Sequence, residues 1–465
     1  MTRSLAGETV GVLGLARSGL AAARLALARG AGVYASDAGD GPAAREAAEQ
    51  VRALGGDAET GGHDTAKLAR CGRIVLSPGI PPTAPVLRDP AIAGVPVVPE
   101  VEFAFGLLES RVIAITGTNG QTTVTSLIEH LLRAAGIDAM AGGNIGTALS
   151  ELALREPQPA WAVVETSSFQ LAGIREFAPE IGVLTNLAPD HLDWYPDVEA
   201  YYADKARLFR NARPESRWVL NAEDARARVL IGGAPGSRYF FRAVTEPEEG
   251  ERGGFVTPDG WLTLRMDGER EEPLVPAFEL RILGPHNVAN ALAAALAARL
   301  AGADAEAIGA GLRTFEAPPH RLQPVMERGG VLWVNDSKAT NVASTRVAVR
   351  GMNRPTVLLL GGKHKGEPYT ELLADGEGDV AALRAVIAFG EAAPLIEGDL
   401  AGRVPVERVD GPFEAVVERA RQVARPGDAV LLSPACSSFD MFRNYEERGR
   451  RFVELVTGGI DADAR

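Results

Sequence analysis

A strand-like run from Val112 to Ile115 leads into Thr116, Gly117, Thr118, Asn119, Gly120, Gln121, Thr122 and Thr123, and a helix-like stretch from Val124 to Ala135 follows. Strand, glycine loop and helix N-terminus in that order make an anion cradle, because backbone N–H groups turn inward and the helix dipole favours negative charge. The chemistry is phosphate binding. The spacing is a short relative of G-x-x-x-x-G-K-[ST], with two departures. Ile115 holds the first glycine position and Gln121 the lysine position, so a dipole stands where a positive charge would meet the β- and γ-phosphates. A bare glycine loop before a helix is also an ordinary turn, and the other groups must decide between the two.

Glu165 closes the apolar run from Ala162, and His191 lies in Asp190-His191-Leu192-Asp193 just beyond the run Ile181 to Asn186. With a hydroxyl such as that of Thr122, these are hard ligands suited to Mg²⁺ beside phosphates. Lys205 falls on a predicted helix from Val198 to Phe209, where composition alone favours a solvated side chain. Further on, Arg321, Lys338, Arg346, Lys363 and Lys365 lie at or near strand ends, and Ser437 and Ser438 follow another strand. A lysine with hydroxyls and N–H groups can hold a small dianion such as a dicarboxylate.

These groups need a scaffold that brings strand ends together. Residues 8–98 alternate strands (Thr9 to Leu15, Gly32 to Ser36, Ile74 to Leu76) with a helix from Ser18 to Arg29, a Rossmann-like half. Its first loop runs Gly11-x-x-Gly14-x-x-x-x-Gly19, not G-x-G-x-x-G, so a nucleotide or sugar-nucleotide pocket fits as well as a dinucleotide one. Ligands of such sheets sit at strand carboxyl ends; here these are Leu15–Ser18, Ser36–Asp37 and Ser77–Ile80, with Asp37 alternatively a simple turn cap. Pro96 to Pro99 reads as a linker. A second mostly parallel α/β segment follows, with an antiparallel extension between Phe240 and Pro276, and Gly284 to Asn290 capping an alanine-rich helix from Ala289 to Ala301. Ala317 to Arg321 reads as a stiff second boundary, after which the α/β rhythm returns. Two phosphate-competent segments and a third that binds anions predict a ligase or transferase joining separately held substrates.

Bulk properties agree. At 465 residues, two or three domains are expected. A net charge of −13 argues against nucleic-acid partners and anionic membrane surfaces. Cys71 and Cys436 offer no disulfide framework, so a cytoplasmic setting is the default. Arg17 and Arg24 interrupt the apolar stretch Val10 to Ala28, which is therefore no membrane span.

The ordered set Gly117-Thr-Asn-Gly-x-Thr-Thr123, Gly143-Asn-Ile-Gly146, Glu165 to Gln170, Asp190 to Asp193, His286-Asn-Val-x-Asn290, Pro319-His-Arg321, Asn335 to Asn341 and Ser433 to Ser438 resembles the Mur ligases over essentially the whole chain. With Phe442 to Gly449, the last two resemble the members that add D-glutamate to UDP-N-acetylmuramoyl-L-alanine. The resemblance implies an α/β protein of three domains: a Rossmann-like one binding the uridine diphosphate substrate (1–98), a central P-loop ATPase with a mostly parallel sheet (99–317) and a Rossmann-like one binding the amino acid (318–465). It implies an ATP-dependent amide-forming ligase of peptidoglycan synthesis working through an acyl phosphate, with UDP-N-acetylmuramoyl-L-alanine and D-glutamate as small-molecule partners, no nucleic acid, no membrane, and a monomer.

By motif, Gly117 to Thr123 would bind ATP. Thr122 and Glu165 would be ligands of the Mg²⁺ on the ATP phosphates, His191 a ligand of a second Mg²⁺, and Lys205 a carbamylated lysine facing the metal. Asn287 and Asp336 would face the nucleoside, Arg321 the nucleotide, and Lys338 the transferring phosphate. Thr340, Lys365, Ser438, Phe439 and Tyr445 would hold D-glutamate, with Tyr445 where the family has phenylalanine. Leu15, Ser36, Ser77, Gly79 and Asn144 would contact the uridine nucleotide. Gln121 breaks the family pattern and motivates an alternative, a nucleotide-binding homologue that turns over poorly. Sister Mur or folylpolyglutamate-type ligases are further alternatives; no Asp-Asn-Pro-Arg run occurs, which argues against the diaminopimelate-adding member. A nicotinamide oxidoreductase fails for want of G-x-G-x-x-G.

Overall fold

Aliphatic and β-branched runs become three sheets in the computed structural model, which describes residues 4–81, 83–190, 194–267, 270–282, 284–373 and 383–458. The first sheet joins β1 (Thr9–Leu13), β2 (Gly32–Asp37), β3 (Asp57–Thr60), β4 (Arg73–Leu76) and β5 (Val97–Pro99), all parallel, in the order β3-β2-β1-β4-β5. Val97–Pro99, expected as a linker, is thus an edge strand. Proline is tolerated at that edge because no further strand needs its missing N–H.

The second sheet holds β6 (Arg111–Thr116), β7 (Ala139–Gly143), β8 (Trp161–Glu165), β9 (Ile181–Leu184), β10 (Arg217–Asn221), β11 (Ser237–Arg242), β12 (Gly253–Val256), β13 (Trp261–Arg265) and β14 (Glu271–Pro276). Their order is β14-β13-β12-β11-β10-β9-β6-β8-β7. The antiparallel extension is confined to β12, β13 and β14; β11 pairs with β12 in parallel. Because β6 lies between β9 and β8, the loops after all three strands meet at one edge. The alanine-rich helix begins at Pro285, four residues before its expected start. Proline at a first helical position forfeits no intrahelical bond, so Asn287 and Asn290 lie in the helix's opening turns.

The third sheet comprises β15 (Gln323–Arg328), β16 (Val331–Asn335), β17 (Thr356–Gly361), β18 (Leu383–Phe389), β19 (Val406–Arg408) and β20 (Ala429–Leu432), ordered β15-β16-β20-β17-β18-β19, with only β15 antiparallel. The late strand β20 inserts between β16 and β17, so loops more than 90 residues apart in sequence become neighbours.

The chain divides into two compact units, Met1–Ala277 with Asn290–Leu312, and Phe278–Ala289 with Arg313–Arg465. In the first, one apolar core runs from Val10, Val12 and Ala35 through Val101 and Phe103 to Val112, Ala114 and Val164. In the second, separate cores cover the two faces of the third sheet, around Leu358 and Leu431 on one side and Val357 and Val430 on the other.

Candidate active site

The loop between β6 and the helix Gln121–Ala134 has the geometry of an anion cradle. Gly120, with φ of 82°, forms the helix N-cap in the left-handed region. A Cβ on Gly120 would lie 2.4 Å from Asn290 Oδ1, and one on Gly117 only 1.9 Å from Thr185 Oγ1, so both positions demand glycine. The loop is held by neutral groups. Thr118 N–H donates to the Asn186 carbonyl and Asn119 N–H to Asn186 Oδ1, each at 2.9 Å. Thr185 Oγ1 and Asn186 Nδ2 donate back to the Asn119 carbonyl.

Thr122 and Thr123 are buried in the first helical turn. Thr122 Oγ1 donates to Glu165 Oε2 at 2.8 Å, joining a helix N-terminus to the carboxyl end of β8. Asn144 lies at this same edge, where its amide donates to Glu165 Oε1 at 3.0 Å. The Gln121 side chain donates to the Thr166 carbonyl at 2.9 Å. Thr116 Oγ1 serves the same carbonyl, also at 2.9 Å.

Lys205 is on the helix Val198–Ala206, and a 3₁₀ turn continues to Phe209 as the sequence predicts, but the lysine is not solvated. It is 2% exposed, its Nζ donates to the Gly117 carbonyl at 2.5 Å, and it lies 4.6 Å from the centre of the Tyr201 ring. Burial pushes the amine down to about 7, against the opposing pull of the Asp190 and Glu165 carboxylates. His191 lies outside the described residues.

A hydroxyl and a carboxylate in contact beside a glycine cradle are the hard oxygen donors that a divalent cation on a phosphate chain requires. Thr122 and Glu165 therefore fit Mg²⁺, and the cradle fits the phosphates.

At the edge of the first sheet, Ser36 and Ser77 are buried at strand ends, and Ser36 Oγ meets His63 Nδ1 at 2.8 Å. Asp37 caps turns: its carboxylate accepts from Leu15 N–H at 2.7 Å and Gly39 N–H at 2.8 Å. Gly79 has open space where a side chain would stand. His63 was not singled out from sequence, since nothing in Gly62-His63-Asp64 marks it.

In the second unit, Asp336 is buried and accepts from Ser433 Oγ at 2.8 Å and Leu322 N–H at 3.1 Å. Burial pushes its carboxyl up to about 7, opposed by those two bonds and by the charge of Arg321. Lys338 Nζ stands 5.4 Å from the centre of the Tyr445 ring. Ser438 is buried, Thr340 half-buried, Lys365 exposed, and Phe439 is 70% exposed. Arg346 is on the helix Val342–Arg350, not at a strand end, and reaches the Glu371 carbonyl. Asn287 is buried in the first turn of the helix Pro285–Ala301.

Sequence reasoning missed what holds these loops. Arg448, on the helix Tyr445–Thr457, is 0% exposed. It donates to Ser337 Oγ and the Ser337 carbonyl (3.0 and 2.9 Å), the Cys436 carbonyl (3.1 Å), and the Gly361 and Ser437 carbonyls (both 3.5 Å). One guanidinium thus ties the loops after β16, β17 and β20.

Family models match the chain in sequence: a Mur ligase MurD-like N-terminal domain over residues 8–99, a Mur ligase middle domain over 115–298 and a Mur ligase glutamate ligase domain over 320–436. The chain is 43% identical to a UDP-N-acetylmuramoylalanine–D-glutamate ligase of Anaeromyxobacter dehalogenans, covering 97% of this chain and 98% of that protein. It is 40% identical to a protein of the same name from Desulfatibacillum aliphaticivorans, with the same two coverages. In fold it is similar to a pseudomurein peptide ligase type C from Methanothermus fervidus, with a TM-score of 0.61 at 19% identity over 97% of this chain and all of the other.

Proposed function

The chain belongs to the Mur ligase family, and on that premise we propose that it joins D-glutamate to UDP-N-acetylmuramoyl-L-alanine in an ATP-dependent step of peptidoglycan synthesis. It is an amide-forming ligase. The observation that carries the substrate assignment is identity of 40–43% across 97% of the chain to relatives bearing that name. Neither a silent nucleotide binder nor a sister ligase is favoured by those relatives.

The reaction needs a carboxylate turned into an electrophile. Phosphoryl transfer from ATP to the alanine carboxylate gives an acyl phosphate; the D-glutamate amine attacks its carbonyl carbon, and the tetrahedral adduct expels phosphate. Gly117 to Thr123 shape the bed for the ATP phosphates, and the helix behind them contributes its dipole. Thr122 and Glu165 would hold one Mg²⁺ and His191 a second, and such ions would offset charge on the phosphates. Lys205 has an amine that is roughly half neutral near pH 7. The neutral nitrogen can bond to the carbon of CO₂ and lose a proton, leaving a carbamate, and we assign Lys205 that modification. Asn287, Arg321 and Asp336 would serve the nucleotide, and Lys338 the transferring phosphate. Leu15, Ser36, Ser77, Gly79 and Asn144 would serve the uridine substrate, and Thr340, Lys365, Ser438, Phe439 and Tyr445 D-glutamate.

We place the segment boundaries near residues 98 and 317 and expect a cytoplasmic monomer. Among the described residues no helix is long and apolar enough to cross a membrane. The test is phosphate release by the purified protein over a matrix of UDP-N-acetylmuramoyl-L-alanine, other nucleotide precursors, D-glutamate and other amino acids. Release that requires both named substrates is expected; release with a different pair would move the chain to a sister ligase.

A further inference from the structure

The loop after β17 carries a histidine to which the reaction above gives no task. From Lys363 to Tyr369 this loop is fixed at four points. Lys363 and Ser437 exchange backbone hydrogen bonds of 2.9 and 3.2 Å. The Glu367 carboxylate accepts from Val342 N–H at 2.7 Å, and Tyr369 N–H donates to Asp399 Oδ2 at 2.8 Å. The fourth point is the Tyr369 phenol, which is 1% exposed and lies between His364 Nδ1 at 3.0 Å and Cys436 Sγ at 2.9 Å.

The phenol can bond its two neighbours in either direction, and the order that starts at Cys436 gives the histidine a defined tautomer. Cys436 is fully buried, and burial pushes its thiol up to about 11, so it keeps its proton at neutral pH and has an S–H to offer the phenol. A phenol that accepts from Cys436 gives its own single proton to His364 Nδ1. In that order the imidazole nitrogen left to carry a proton is Nε2, on the ring edge opposite the phenol. His364 is half-buried, its neighbour Lys365 is exposed, and Cys436 is two residues before Ser438. In either order the relay latches together the two loops that bear Lys365 and Ser438, and in the order from Cys436 it also fixes the tautomer.

We propose that His364 is a further amino-acid-binding residue, its Nε2–H held by the Tyr369–Cys436 pair so as to donate to a carboxylate of the incoming amino acid beside Lys365. The inference rests on the reading that this edge holds D-glutamate. Tyr369 and Cys436 are positioning residues, acting only through the imidazole.

The test is steady-state kinetics at saturating ATP and UDP-N-acetylmuramoyl-L-alanine. His364→Ala should raise KM for D-glutamate about tenfold, the lower range for a hydrogen bond to a charged group, with kcat within about twofold and KM for ATP unchanged. His364→Gln returns an N–H near the Nε2 position and should restore most of the affinity; His364→Asn places its N–H near Nδ1 and should not. Tyr369→Phe keeps the ring in the core, frees the imidazole and should raise the same KM about threefold. A wild-type KM for D-glutamate in His364→Ala overturns the proposal. So does an equal rise in KM for ATP, or equal loss in the Gln and Asn variants. Should the wild-type protein use another amino acid, the D-glutamate reading fails, while a KM effect of His364→Ala on that amino acid upholds the site. Should it use D-glutamate while His364→Ala is silent, the site fails and the reading stands.

Discussion

The edges of the second and third sheets solve the same problem by opposite means. Both are mostly parallel sheets in which one strand sits between two others and gathers their loops. At the second sheet the loop is shaped by glycine conformation and by amide and hydroxyl bonds from Thr185 and Asn186, with neutral Gln121 in its first helical turn. Its nearby lysine, Lys205, is buried and has its amine pushed down. At the third sheet a buried guanidinium, that of Arg448, reaches five oxygen atoms on three loops and remains charged at neutral pH, pushed down only to about 10 by burial. A bed for a polyanion that arrives with its own metal can do without fixed positive charge. Loops that must hold a small amino acid gain rigidity from a cation beneath them, because carbonyls such as those of Ser337 and Cys436 would otherwise lose the bond it gives them.

The sharpest way to break this contrast is Arg448→Ala, which strands at least the Ser337 and Cys436 carbonyls. We expect a loss of about 3 kcal/mol or more in urea unfolding; a loss below about 1 kcal/mol would mean the loops hold themselves. Next is Glu165→Gln, which keeps a partner for Thr122 but removes the charge that suits a metal. Phosphate release should fall about 100-fold, or roughly 2.7 kcal/mol, with no change in unfolding midpoint. Gln121→Lys comes third. The Thr166 carbonyl keeps its bond from Thr116, so the substitution exchanges a redundant donor for a charge, and kcat/KM for ATP should rise at least about tenfold. No change, or a fall, would show a cradle that has reorganised around glutamine. The smallest effect concerns Lys205. Its folded pKa of about 7 lies below the unfolded value of 10.5, so between them the folded chain binds fewer protons and stability should rise with pH. In carbonate-free buffer from pH 7 to 9 the wild type should gain about 1 kcal/mol per pH unit relative to Lys205→Met. Parallel curves for the two would place the lysine in water.

What sequence could and could not reveal follows the same division. The cradle was legible because its parts are contiguous: strand, glycines and helix start within a dozen residues, and Glu165 ends its own apolar run. The helix bearing Lys205 was legible too, from its local pattern. Its burial was not, because Gly117, whose carbonyl it meets, is brought there by a separate element, and only Tyr201, one turn earlier on the same helix, is local. Arg448 falls within the motif Phe442 to Gly449, but nothing local gives it a task, and only the insertion of β20 between β16 and β17 gathers the loops that it reaches. The strand β5 was hidden by Pro96 before it and Pro99 at its end, which locally signal a connection. Asn144, expected to meet the uridine substrate, also donates to Glu165, a contact that depends on β7 pairing with β8.

The two glycines of the cradle have a consequence for inhibition. A small molecule that rests against Gly117 and Gly120 leans on positions where even a methyl group would collide with Thr185 or Asn290. Resistance by substitution is closed at both, and escape from such a compound would have to arise elsewhere on the wall of the binding cleft.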